Sequence, residues 1–268
     1  MVDTENIGKE NHEQVWKKKT DYDCGVWCQE VLQVLWDDLD VKAVKKSSNF
    51  LAAEKTIDDS QVWEFPMEFP FKWYDFVLHK NVFSPIYFKW SSVYVDHLPL
   101  YKGQSFLDMW CGCGVIWITA YMKYGLDKVV CADINPYAVE NTKENIARYN
   151  LSSHVKTIQS DVFSDIDKGE KFDLIFWNAP YFDGDFDEKN ILYRSMYDKN
   201  YEHIKRFILE WEKHLKEWGK IMIWFSSDKF PLEYARKLIN EIWYDLEIFY
   251  QQVDGLGFKQ EILNVVKK

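Results

Sequence analysis

Short apolar runs alternate with longer amphipathic segments from residue 104 onward. The runs SFLDM, KVVCADI, HVKTIQSDV and KFDLIFWNAPY each fit a buried strand, whereas VIWITAYMKYG and PYAVENTKENIARYN fit helices. Strands that alternate with helices of this length form a mostly parallel sheet with helices on both faces. The pattern therefore predicts an α/β fold built on a doubly wound sheet.

The C-terminal part continues this alternation but ends differently. Residues 201–217, YEHIKRFILEWEKHLKE, predict an amphipathic helix whose apolar side is formed by Ile204, Phe207, Ile208, Trp211 and Leu215. The segment KIMIWFSS then predicts a strand, and PLEYARKLINEIW predicts a helix. The last apolar runs, DLEIFYQQ and EILNVV, have no helix between them, so we expect a terminal antiparallel hairpin.

The N-terminal part has a different character. A helical pattern runs from about residue 24 to residue 53, and residues 61–90 are rich in aromatic side chains and contain Pro66, Pro70 and Pro85. Prolines at this density favour short strands and turns over a long helix. We predict a small appendage at residues 1–80, a helix followed by aromatic and proline-rich strands, and a main domain at residues 81–268.

Composition excludes several classes of protein. Lys and Arg number 33 against 43 Asp and Glu, and the net charge of −10 argues against a broad surface that coats nucleic acid. No apolar run reaches the roughly 18 residues that a membrane span needs, so we expect a cytoplasmic protein without membrane contact. The five cysteines lack the spacing of a zinc ribbon, and we predict no metal site.

Polar or glycine residues follow the carboxyl ends of four predicted strands. Such ends meet at one edge of a parallel sheet, which is where open α/β sheets bind ligands. A glycine-rich turn before a helix lets backbone N–H groups approach a ligand, and an acidic residue at the next strand end can accept both hydroxyls of a ribose. The candidate residues are Asp108, Gly112, Gly114, Asp133, Asp161, Asn178, Pro180 and Tyr181.

Residues 104–250 resemble a class I S-adenosylmethionine-dependent methyltransferase, a family with a Rossmann-like sheet. FLDMWCGCGVIWI is similar to the first family motif, and VVCADINPYAVENTKENIARYNL is similar to the second. IFWNAPYF resembles the Asn-Pro-Pro-Tyr/Phe signature of the branch that methylates planar nitrogens, either glutamine side chains or exocyclic amines of bases. The preceding VFSPIYFKWSSVYVDHLPL resembles the lead-in of its small-domain members, which include release-factor glutamine methyltransferases.

The resemblance implies S-adenosylmethionine as cofactor and a role for each cofactor residue. Asp108 would face the amino-acid end of the cofactor, and Gly112 and Gly114 would pack against it. Asp133 would hold the ribose hydroxyls, and Asp161 would accept a hydrogen bond from the adenine amine.

The resemblance also implies a catalytic turn and a macromolecular partner. Asn178 and the backbone around Ala179 would accept hydrogen bonds from the substrate NH2, Pro180 completes the turn, and Tyr181 would stack on the planar group. The methyl acceptor would be a translation factor, a ribosomal protein or RNA.

Tryptophan stands where the family has glycine. The chain has 13 Trp and 11 Gly, and Trp110 occupies the place of the first glycine of the first motif. One hypothesis is that several tryptophans are glycines misread from the gene, as happens when UGA codes for glycine. The alternative is a tryptophan-rich protein with an altered cofactor pocket. Further positions of this kind are Trp90, Trp117, Trp218, Trp224 and Trp243.

Two other functions stay open at this point. A glycine in place of Trp117 would complete a dinucleotide fingerprint followed by Asp133, which favours a nicotinamide-dependent Rossmann oxidoreductase. If Trp110 is genuine and blocks the pocket, the chain could instead be a catalytically dead interaction subunit with a methyltransferase fold.

Overall fold

The computed structural model describes residues 48–180, 182–184, 190–225, 232–242, 244–253 and 259–268. The predicted helical pattern before residue 48, Tyr181 and Trp243 lie outside them. The helices are α1 (Ser48–Asp59), α2 (Ser91–His97), α3 (Val115–Tyr124), α4 (Pro136–Arg148), α5 (Glu202–Glu210) and α6 (Leu232–Glu241). The strands are β1 (Met67–Phe71), β2 (Tyr74–Leu78), β3 (Ser105–Met109), β4 (Lys128–Asp133), β5 (Val155–Gln159), β6 (Phe172–Asn178), β7 (Leu215–Phe225), β8 (Tyr244–Val253) and β9 (Lys259–Lys267).

Seven of the described strands form one sheet in the order β5-β4-β3-β6-β7-β9-β8. Strand β3 is parallel to both β4 and β6, whereas β9 is antiparallel to β7 and to β8. The predicted doubly wound sheet and its terminal antiparallel hairpin are therefore confirmed. Because β4, β3 and β6 run the same way, their carboxyl ends open on the same edge.

The sheet is covered on both faces. Phe106 and Leu107, neighbours in β3 whose side chains point to opposite faces, are both fully buried, and so are Phe176 and Trp177 in β6. A strand buried on both faces has a near-continuous apolar sequence, which is why these segments were recognisable as strands. None of the helices in the described part of the chain is long and apolar enough to cross a membrane.

The helix predicted over residues 201–217 is shorter than expected. Helix α5 ends at Glu210, a 3-10 turn covers Trp211–His214, and β7 begins at Leu215. Leu215 pairs with Phe172 of β6 and Lys220 pairs with Leu174, so β7 bulges between these pairs. Pairing with a strand distant in sequence therefore overrides the helical periodicity of the last turn.

The β1–β2 hairpin, which falls inside the predicted appendage, is tied to α4 by side-chain amides. The Asn145 Oδ1 accepts the Val77 N–H at 2.8 Å, and its Nδ2 donates to the carbonyls of Val77 at 2.9 Å and Cys113 at 2.8 Å. The Asn141 Oδ1 accepts the His79 N–H at 2.8 Å. Fully buried amides thus connect the hairpin to α4 and to the turn after β3.

We expect Asn145→Ala to lower the free energy of unfolding by about 2–3 kcal/mol, because it leaves the buried Val77 N–H without an acceptor. Chemical denaturation monitored by tryptophan fluorescence measures the change. Glu140→Ala on the exposed side of α4 is the matched control, since Glu140 pairs with Lys143 at the surface, and it should change stability little. Equal losses in the two variants would contradict the structural role of Asn145.

Candidate active site

A cleft opens at the carboxyl edge of the sheet, above the ends of β4, β3 and β6. It contains about 720 Å³ of empty space, counted to its open mouth. The predicted residues Gly112, Asp133 and Asn178 all line this cleft. Lining residues that were not predicted include Phe83, Pro85, Ser91, Asn135, Ile191, Leu192, Arg194 and Ser195.

The turn between β3 and α3 has the backbone that its glycines allow. Gly112 has φ +60° and Gly114 has φ +87°, values that side chains disfavour. A Cβ at Gly112 would meet no atom within 4 Å, so its open side is available to a ligand. A Cβ at Gly114 would lie 2.7 Å from the Trp117 Nε1, so Gly114 is required for packing rather than for access.

Asp133 at the end of β4 fixes this turn. Its Oδ2 accepts the Gly112 N–H at 2.9 Å, and its Oδ1 accepts the Asn135 N–H at 2.9 Å. The Thr142 hydroxyl of α4 donates to the Gly112 carbonyl at 2.8 Å. The two predicted binding elements, the glycine turn and the acidic strand end, are therefore parts of one hydrogen-bonded unit.

Burial changes the acidity of two carboxyl groups. It raises the pKa of Asp133 to about 6, although the backbone N–H groups of Asn135, Gly112 and Ile134 oppose the rise. The pKa of Asp108 is raised well above its usual value, first by burial and then by the charge of Asp133. Asp108 is 1% exposed, does not line the cleft, and has an Oδ2 atom without a hydrogen-bond partner.

Asp161 follows β5 and does not line the cleft. The Arg206 Nη1 donates to its Oδ2 at 2.7 Å, and the His203 Nε2 lies 3.5 Å from its Oδ1. That Oδ1 atom has no hydrogen-bond partner. The structure thus brings an available acceptor close to the site, on a carboxylate whose charge is balanced by arginine.

Asn178 is the last residue of β6 and the start of the predicted catalytic turn. It pairs with Trp224 of β7, and its half-buried side chain lines the cleft. Ala179 and Pro180 are buried behind it. The position of Asn178 is therefore set by the sheet, whereas Tyr181 lies outside the described residues.

Trp110 shares the backbone geometry of the glycines that follow it. Its φ of +62° is unfavourable for a bulky residue and costs about 1–3 kcal/mol. The indole lines the cleft, contacts the rings of Trp177 and His203 edge-on at 5.4 and 5.5 Å, and has a buried Nε1 without a partner. An unsatisfied buried N–H adds a second cost.

The other tryptophans singled out in the sequence have different environments. Trp117 is fully buried, with an unpartnered Nε1, and Trp224 is 5% exposed. Trp218 is 87% exposed in the bulge of β7, and Trp90 precedes α2 with φ −68°. Trp110 is therefore the one among these described residues whose backbone itself favours glycine.

Residues 73–243 match the family model described as "Methyltransferase small domain". The chain belongs to this methyltransferase family. The membership confirms the predicted S-adenosylmethionine-dependent methyltransferase and supports neither the oxidoreductase nor the inactive subunit. No group of three or more His, Cys, Asp or Glu side chains among the described residues is placed to hold a metal ion.

Two curated relatives and one solved structure illustrate the similarity. A Methanocaldococcus jannaschii protein named "Putative protein N5-glutamine methyltransferase" is 33% identical over 190 residues, covering 69% of this chain and 85% of that protein. The ribosomal protein uL3 glutamine methyltransferase of Francisella tularensis is 31% identical over 48% of this chain and 43% of that protein. The T. thermophilus 16S rRNA N2 G1207 methyltransferase, solved with AdoMet and guanosine, has a TM-score of 0.54 and 14% identity, covering 75% of this chain and 50% of that chain.

Three carboxyl groups, one lining the cleft and two that do not line it, have oxygens that fit S-adenosylmethionine. Asp133 offers carboxylate oxygens beside the open face of Gly112, Asp108 retains a buried oxygen without a partner, and the Asp161 Oδ1 is also unpartnered. Such orphaned acceptors are rare in proteins unless a ligand or water satisfies them. Trp110 is the exception, because its indole lines the same cleft and contacts His203, whose Nε2 lies 3.5 Å from the Asp161 Oδ1.

We expect Trp110→Gly to strengthen S-adenosylmethionine binding at least tenfold, because it removes the indole from the lining of the cleft. Isothermal titration calorimetry measures the change. Trp218→Gly, which alters an exposed indole that does not line the cleft, is the matched control and should leave the affinity within about twofold.

The gene provides an independent check of the misreading hypothesis. If the codons for Trp110, Trp117, Trp218 and Trp243 are UGA, mass spectrometry of the natural protein should find glycine at these positions. If all four codons are UGG, the hypothesis is wrong and the tryptophans are genuine.

Proposed function

We propose that this methyltransferase methylates a planar nitrogen of a macromolecule, and that the acceptor is the side-chain amide of a protein glutamine. The observation that carries the proposal is the position of Asn178 on the same cleft as Gly112 and Asp133. The side-chain amide of Asn178 can accept a hydrogen bond from a substrate NH2 group that lies beside a bound methyl donor.

We assign the cofactor residues as follows. Bound S-adenosylmethionine supplies an electrophilic methyl group on a sulfonium. Asp133 accepts hydrogen bonds from the ribose, Gly112 and Gly114 form the turn beside the cofactor, Asp161 accepts from the adenine amine, and Asp108 supports the amino-acid end. Among these groups, Asp133 has the clearest support, because both its oxygens already accept backbone N–H bonds next to the cleft.

The catalytic turn acts by orientation. A carboxamide nitrogen is a poor nucleophile because its lone pair is delocalised, so the protein has to hold it in the reacting direction and exclude water. The Asn178 carbonyl and the Ala179 backbone accept hydrogen bonds from the NH2 group, Pro180 keeps the turn rigid, and Tyr181 stacks on the planar amide. The pairing of Asn178 with Trp224 of β7 supports this orienting role, because it fixes the backbone from which the Asn178 side chain extends.

A glutamine acceptor is favoured over an RNA base by the similarity to the archaeal glutamine methyltransferase and by the acidic charge of the chain. The relatives named for ribosomal components support a partner in the translation machinery and a cytoplasmic location. We keep residues 81–268 as the proposed methyltransferase domain, with residues 1–80 as an appendage that contributes the β1–β2 hairpin.

We expect Asn178→Ala to reduce methyl transfer at least a hundredfold while cofactor affinity stays within about threefold, because Asn178 serves the acceptor. Transfer of label from tritiated S-adenosylmethionine to cell extract measures methyl transfer, and calorimetry measures the cofactor affinity. Asn178→Asp, which keeps an acceptor oxygen at the same position, should retain more transfer than the alanine variant.

The same extract separates the two acceptor classes. Protease should remove the labelled product and RNase should leave it intact. Label that RNase releases would contradict a glutamine acceptor, and loss of cofactor binding in Asn178→Ala would contradict the division of roles.

We expect cofactor affinity to fall about tenfold from pH 7 to pH 5, because Asp133, with a pKa of about 6, has to be ionised to accept from the ribose. Calorimetry across this range measures the change, and Asp133→Asn should remove most of the dependence.

Between pH 5 and about pH 6, the contribution of Asp133 to folding stability should fall as the pH rises, whereas the cofactor affinity should increase. A carboxyl whose pKa is raised by folding stabilises the protein when protonated, and that contribution is lost as the pH rises through about 6. If the cofactor affinity and the folding stability both increased as the pH rose, the result would contradict the assignment of Asp133 to the ribose.

A further inference from the structure

The cleft has one basic side chain without a partner. Among the described residues that line it, Asp133 and Arg194 are the charged ones. The Arg194 Nε is buried and donates no hydrogen bond. Arg148, Arg206 and Arg236 each lie within ion-pairing distance of a carboxylate, Glu68, Asp161 and Asp245 respectively. Arg194 differs from them in having no described carboxylate to pair with.

The backbone that carries Arg194 is held in place. It belongs to a 3-10 turn, Ile191–Ser195, that the Asn190 side chain caps by accepting the Leu192 N–H at 3.2 Å. Leu192 is 3% exposed, and the Tyr193 hydroxyl reaches Asp58 of α1 at 3.2 Å. A guanidinium on an anchored turn presents its donors to the cleft in a limited set of directions.

A buried guanidinium donor without a partner is costly, and an anion that enters the cleft would satisfy it. The charges of the two proposed ligands indicate which of them supplies this anion. The proposed acceptor is a neutral amide, whereas S-adenosylmethionine carries one carboxylate, on its amino-acid end. Arg194 shares the cleft with Gly112, which lies beside the open face of the turn.

We propose that Arg194 binds the carboxylate of S-adenosylmethionine and selects cofactors that carry it. The inference rests on the proposed function, because it assumes that the cofactor occupies this cleft. A phosphate of an RNA acceptor is the rival partner for the same guanidinium. The buried Nε of this cleft-lining residue and the acidic charge of the chain favour a small ligand over a polyanion.

The test compares two ligands that differ only in the carboxylate: S-adenosylmethionine and its decarboxylated form. Calorimetry on the full chain measures both affinities for the original protein, Arg194→Gln and Arg194→Lys. We expect Arg194→Gln to weaken S-adenosylmethionine about 10- to 100-fold and the decarboxylated form less than about twofold. Arg194→Lys keeps the charge without the guanidinium fork, so its loss should be smaller and again confined to S-adenosylmethionine.

Arg148→Gln is the matched control, because Arg148 is an exposed arginine paired with Glu68, and both affinities should stay unchanged. Thermal unfolding verifies that each variant folds, and Arg194→Lys provides the test if Arg194→Gln does not. The measurements are repeated in the Trp110→Gly background, where the indole no longer limits entry.

Each contrary result has a distinct meaning. If Arg194→Gln weakens both ligands equally, or weakens neither, Arg194 does not bind the carboxylate, and the proposed function stands. Unchanged S-adenosylmethionine affinity together with weakened RNA binding in Arg194→Gln identifies a phosphate contact instead. If neither ligand binds either background, the proposed function itself fails, and this inference fails with it.

Discussion

The hydrogen bonds that Asp133 accepts from Gly112 and Asn135 hold the site together. They join the turn after β3 to the end of β4, so the glycine backbone and the acidic strand end cannot move independently. The same bonds oppose the effect of burial on the pKa of Asp133, which stays near 6 rather than rising further. A carboxylate that positions the turn therefore remains ionised at neutral pH and able to accept from a ligand.

A second layer of amides extends this unit to the N-terminal hairpin. Asn145 bonds to Val77 in β2 and to Cys113 in the turn, so the hairpin and the cofactor turn share one buried side chain. Phe83, Pro85 and Ser91, which follow the hairpin in sequence, also line the cleft. A segment whose sequence suggests a separate appendage thus continues directly into one wall of the site.

The sequence predicted those parts of the molecule that depend on local pattern. Buried strands have apolar runs, and Asp108, Gly112 and Asp133 were recognisable because each lies at or just after the carboxyl end of such a run. Features that depend on distant pairing were not predictable: β7 begins at Leu215 because that residue pairs with Phe172, and Asp161 is bound by Arg206 from α5. Arg194 lies in a 3-10 turn without periodicity, and its contact with the cleft arises only from the fold.

The acidic groups around the cleft differ in what they can do for a ligand. Asp108 is buried, and its pKa is raised well above its usual value by burial and by the charge of Asp133. Asp161 is balanced by Arg206 and offers one oxygen as an acceptor. Asp133 ionises near neutrality. The three carboxyls therefore differ in burial and in their partners, and Arg194 is the cleft-lining basic side chain that has no carboxylate partner among the described residues.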